Sequence, residues 1–171
     1  MPAMTAPALA VAALLALAGA QKLLDPTMTV GALRALRWPA SPLLVRVGSG
    51  LELALGVAAI AVGGRVLWAL VALSYLAFAA FVSVALRTGT MIGSCGCFGR
   101  EETPPHPIHV VLDVGLVGLA TAVAIGAPEA PIDALADQPA DAVGLVLLVG
   151  LAVFLLHAAF VELPRTLTAG R

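Results

Sequence analysis

An all-α integral membrane bundle is the fold class this sequence predicts, and three observations predict it. First, 61% of the 171 residues are hydrophobic and only 11% are charged, where a soluble domain carries roughly 25% charged residues. Second, mean hydropathy is +1.05, so most of the surface must face lipid. Third, five stretches, 5–24, 43–62, 66–86, 108–125 and 142–160, approach or reach the ~20 apolar residues a helix needs to cross a hydrocarbon core. Repeated strand alternation is absent, which excludes a transmembrane β-barrel. A formal net charge of -1 gives nothing to draw nucleic acid. The chain reads as a single transmembrane domain over 1–171.

The elements follow in order. The first span is rich in Ala and Leu and ends on Ala18-Gly19-Ala20, small residues of the kind that precede a signal-peptidase cut. No Lys or Arg precedes the apolar run, so the segment is expected to remain as a helix. In the next connection Val30, Leu33 and Leu36 alternate with Arg34, Arg37 and Trp38 at helical spacing. That pattern predicts a short amphipathic helix at about 29–38 lying in the interface, with Trp38 at headgroup depth. Gly63-Gly64-Arg65 predicts a tight turn between the second and third spans. The segment 87–107 holds both cysteines, Glu101, Glu102 and three prolines. An acidic connection with Glu129, Asp133, Asp137 and Asp141 leads to the fifth span. Ala and Gly throughout the spans allow close approach of helix backbones, which is how bundles associate in lipid.

Alternating spans put the first and third connections on one side of the membrane, and several polar residues then converge there. Lys22 closes the first span, and Glu52 lies nine residues into the second, roughly 14 Å deep at ~1.5 Å per residue. His106 and His109 open the fourth span, and Asp113 shares the His109 face, four positions on. A carboxylate at Glu52 must be paired or face a polar cavity, since a charge at that depth costs a few kcal/mol; Lys22 is its natural partner. The pair serves either as a structural lock or as a proton relay or quinone contact. Tyr75 reads as packing with a satisfied hydroxyl, and His157 carries no assigned role.

The two cysteines, Cys95 and Cys97, stand one residue apart in Ser94-Cys95-Gly96-Cys97-Phe98-Gly99. Two are too few for a secreted disulfide scaffold. Bridging positions i and i+2 leaves little freedom for relaxed disulfide geometry, and a strained disulfide is the more oxidising one. Gly96 is the residue best able to accept the required backbone angles. The pair therefore points to thiol–disulfide exchange, with His106 or His109 stabilising a thiolate. Metal binding is the rival reading: Cys95, Cys97, His106 and His109 supply four ligands suited to Zn²⁺ or a soft copper ion. Both spacings are one residue shorter than the usual zinc pattern, and neither a quinone nor a metal ion is required by the sequence. A third reading is a non-enzymatic scaffold that recruits a redox partner. The expected surroundings are the lipid bilayer and a thiol-redox or disulfide-containing protein.

Ala18-Gly19-Ala20-Gln21-Lys22, Glu52-Leu53-Ala54-Leu55-Gly56 and Cys95-Gly96-Cys97-Phe98-Gly99 together resemble the MauE family, the methylamine-utilisation membrane proteins related to DoxX. The resemblance covers roughly 6–126. It implies a four-helix membrane core, to which the span 142–160 adds a fifth helix. It also implies a part in thiol–disulfide chemistry at Cys95 and Cys97, with Lys22 and Glu52 at the family's polar positions. For MauE itself it implies maturation of the disulfide-rich small subunit of methylamine dehydrogenase. The chain lacks the second cysteine pair through which quinone-linked disulfide generators relay electrons, so a redox component is expected rather than a self-sufficient enzyme. The expected location is the plasma membrane. Eight Lys and Arg residues against Arg65 alone put the cysteine segment on the cytoplasmic side, whereas the resemblance implies the extracytoplasmic side.

Overall fold

Ser41 and Pro42 show how a span begins in this protein. The Ser41 hydroxyl accepts the Leu44 N–H at 3.1 Å, and Pro42 occupies the first helical position, where its missing N–H costs nothing. The computed structural model describes residues 4–88, 105–126, 130–133 and 139–169. Its helices are α1 (Thr5–Leu24), α2 (Thr27–Ala35), α3 (Pro42–Ala61), α4 (Arg65–Thr88), α5 (Pro107–Gly126) and α6 (Pro139–Ala169). No strand occurs among the described residues. Five of the six are long and apolar enough to cross a bilayer, so the chain is an all-α integral membrane protein.

The spans alternate in direction. α1 packs chiefly on α3 and α4 on α5, while α6 lies against α1. α1 is the most enclosed span, with 56% of its apolar window buried, and α6 the least, with 11%. Around α1 the core gathers Val11, Leu14 and Leu15 with Trp68, Val71 and Val123. Leu51, Val57, Leu73, Leu147 and Phe154 point outward, a surface that only lipid can accommodate. Serine hydroxyls in the spans are satisfied by their own helices: Ser49 donates to the Val45 carbonyl at 2.7 Å and Ser83 to that of Ala79 at 2.7 Å.

α2 is shorter than its sequence pattern suggests. It stops at Ala35 because Arg37 turns left-handed (φ 59°). The Arg37 N–H then bonds the Arg34 carbonyl at 2.9 Å, and the Trp38 N–H bonds that of Leu33 at 3.0 Å. This is a Schellman-type ending, for which glycine is the usual residue. Trp38, now beyond the helix, meets Phe81 of α4 edge-on at 5.7 Å. At the opposite end of the bundle, Gly63 (φ 68°) and Gly64 (φ 89°) make the tight α3–α4 turn with the left-handed angles that glycine adopts freely.

Candidate functional site

Two glycines bring the first pair of polar residues together. A Cβ on Gly19 would stand 2.6 Å from the Leu53 nitrogen and 2.7 Å from the Ser49 carbonyl. One on Gly56 would stand 2.6 Å from the Ala12 carbonyl and 2.8 Å from the Ala16 nitrogen. The α1 and α3 backbones are therefore in direct contact at both places, the close approach small residues permit in membranes. Lys22 lies three residues beyond Gly19, on the same face, and its Nζ forms an ion pair with Glu52 Oε2. The ammonium also sits 4.4 Å from the centre of the Phe78 ring of α4, a cation–π contact that strengthens away from water. Lys22 is 3% exposed, so one cation ties three helices together. Phe78 in turn packs edge-on against Tyr75 at 6.1 Å, and the Tyr75 hydroxyl donates to the Val11 carbonyl at 2.8 Å.

The two histidines that open α5 act on its first turn. The His106 N–H donates to His109 Nδ1 at 3.1 Å, while the Ile108 N–H donates to His106 Nδ1 at 3.2 Å. This is the reciprocal arrangement of a capping box, with imidazoles in place of the usual hydroxyl and carboxylate. His109 is fully buried, and its Nε2 lies 3.0 Å from the Phe160 carbonyl of α6. With the ring proton on Nε2, His109 donates to the Phe160 carbonyl and its Nδ1 accepts from the His106 N–H, while the His106 carbonyl also lies 3.2 Å from Nδ1. Phe160 can take this bond because Pro164, four residues on inside α6, has no N–H to offer its carbonyl. The ring of Phe160 also packs on His109 at 5.9 Å. Both His109 nitrogens are thus engaged, and ligating a metal would mean breaking one of these bonds. Asp113 is buried one turn further along α5.

Other members of this polar region were not legible as such in the chain. Gln21, beside Lys22, places its Nε2 3.5 Å from His157 Nε2 of α6. Phe78 and Phe160 look in sequence like ordinary span residues, and Pro164 lies beyond the span 142–160 read from the sequence. The Phe160–Pro164 spacing of four is the one available signal, since it marks a carbonyl without its helical donor. Cys95, Gly96 and Cys97 lie outside the described residues. The segment that carries them leaves α4 after Thr88 and re-enters before Pro107. Both points belong to the end of the bundle that holds Lys22, His106 and His109.

This five-span arrangement with a buried Lys–Glu pair can be set against known families. The sequence model described as "Methylamine utilisation protein MauE" matches residues 2–126. The chain belongs to the MauE family. No curated protein and no solved structure matches it. The MauE region takes in α1 through α5 and ends at Gly126, the last residue of α5. It therefore includes both cysteines, Lys22, Glu52, both capping histidines and Asp113. α6 falls beyond it, and His109 of the MauE region is the residue that fastens α6 through the Phe160 carbonyl.

Proposed function

We propose that this MauE-family protein takes part in thiol–disulfide exchange through Cys95 and Cys97, supporting maturation of a disulfide-containing partner. The carrying observation is the family match, whose span includes the Cys-Gly-Cys element. The buried Lys22–Glu52 pair supports it, because it fixes α1 and α3 at the end of the bundle from which the cysteine segment departs. In the reductive direction one cysteine attacks as thiolate on a partner disulfide, forming a mixed disulfide and expelling a partner thiolate. The second cysteine then displaces the other partner sulfur, leaving a Cys95–Cys97 disulfide. Two electrons have passed to the partner; the reverse sequence oxidises it. The family description points to methylamine utilisation, so methylamine dehydrogenase is the client class to test first. This reading sets the site in the plasma membrane; the Lys and Arg distribution favours the cytoplasmic side for the cysteines, and the family resemblance favours the extracytoplasmic side.

The test is trapping. Cys95→Ser and Cys97→Ser are each expressed under oxidising and reducing growth, and mixed disulfides are sought on non-reducing gels. At least one variant is expected to hold a covalent partner; none with either, under both conditions, overturns the exchange chemistry. A second reading has its own observation: Lys22, Tyr75 and His109 all bind neighbouring helices. That suits a scaffold that recruits a redox partner without cycling itself. Full partner maturation with the double variant C95S/C97S would favour the scaffold.

A further inference from the structure

A groove runs down the outside of the bundle between α4 and α5, at the end opposite the cysteine segment. Its volume is about 640 Å³, within the ~300–1,000 Å³ of ordinary ligand sites. Arg65 stands at its mouth, Ala69, Leu73 and Leu76 continue it along α4, and Thr121 and Ile125 line it from α5. From Arg65 to Leu76 is eleven residues of helix, or ~16 Å at ~1.5 Å per residue. One leaflet of a bilayer with a ~30 Å core is ~15 Å deep. The groove thus starts at the membrane surface and ends near the midplane, the reach of an acyl chain and half that of a spanning helix. Arg65 is exposed. Among the described residues no carboxylate pairs with it, Asp133 at the same end included, and no other Lys or Arg lies at that end. An apolar trough one leaflet deep with an exposed guanidinium at its mouth suits an amphiphile with an anionic head, with the acidic connection that carries Glu129, Asp133, Asp137 and Asp141 entering at the same end.

We infer that the α4–α5 groove binds an anionic glycerophospholipid, one acyl chain lying along Ala69, Leu73 and Leu76 and the phosphate seated on Arg65. A guanidinium grips phosphate by parallel N–H donors, and the chain replaces bulk lipid against a surface already shaped for it. The experiment is native mass spectrometry of the full chain released from detergent, titrated with phosphatidylglycerol or phosphatidylcholine of identical acyl chains. A basic side chain at the surface is worth ~1 kcal/mol with anionic lipid, so phosphatidylglycerol is expected to bind roughly fivefold more tightly. Arg65→Gln should reduce phosphatidylglycerol binding to the phosphatidylcholine level and leave the latter unchanged. Ala69→Phe, which fills the trough, should weaken both. Arg46→Gln, an exposed cation at the other end, should keep the preference. Persistence of the preference in Arg65→Gln, or undiminished lipid binding in Ala69→Phe, overturns the assignment. So does a wild-type protein that carries no lipid and forms a dimer lost in Ala69→Phe, since the groove would then seat a second copy.

Discussion

Replacing Lys22 with methionine takes the cation out of a pocket closed by α1, α3 and α4 while keeping most of the side-chain volume. Lys22 is 3% exposed, and the Glu52 side chain keeps 21% of its surface. Removing one partner of a fully buried pair costs ~3–5 kcal/mol, because the other charge is left without compensation. A charge inside a membrane span costs ~2.5–3.5 kcal/mol on insertion scales. The partial exposure of Glu52 pulls the expected loss to the lower end of both, about 2.5–3 kcal/mol. The cation–π contact with Phe78 is lost in the same variant and adds ~0.5–1 kcal/mol. The double variant Lys22→Met/Glu52→Gln removes both charges, and its loss should fall short of the summed single losses by at least ~1 kcal/mol. Stability is read by titrating purified protein in neutral detergent with dodecyl sulfate and following helicity by circular dichroism. Losses that add to within ~0.5 kcal/mol would refute the idea that the two charges hold α1 and α3 together.

Further expectations concern the backbone and the membrane. Gly56→Ala drives a methyl to 2.6 Å from the Ala12 carbonyl and should cost ~1–3 kcal/mol by overpacking, whereas Gly48→Ala, which meets nothing within 4 Å, should gain up to ~1 kcal/mol from helix propensity; the same titration ranks the two. Arg37→Gly relieves a left-handed residue and should stabilise by about 1 kcal/mol, visible as a later unfolding midpoint. His109→Ala deprives the Phe160 carbonyl of its donor at a cost of ~1–3 kcal/mol. It should expose the junction after Gly126 to protease sooner than in the wild type; equal cleavage rates would show that α6 is held elsewhere. In intact cells a membrane-impermeant thiol reagent should label Cys95 and Cys97 only after permeabilisation, and labelling without it would reverse the charge-based orientation.

The sequence by itself determined the five spans, the tight glycine turn and the pairing of Lys22 with Glu52. Length and hydropathy fix where a chain must be in lipid, and alternation of spans fixes which ends share a side. A lone carboxylate within a span must find a cation, and parity leaves few candidates. What it could not supply was rotation about each helix axis. That angle is set where backbones touch, at Gly19 against Ser49 and Leu53 and at Gly56 against Ala12 and Ala16, and those contacts exist only once two helices are docked. Hence Phe78 as the third partner of Lys22, the trough below Arg65 and the meeting of His109 with Phe160 belong to the tertiary structure alone. The histidines make the point most plainly. Their spacing suits a metal or a thiolate; that Pro107 starts α5 between them, so that the exposed N–H groups of the helix start bond the two imidazoles, is seen only in the structure.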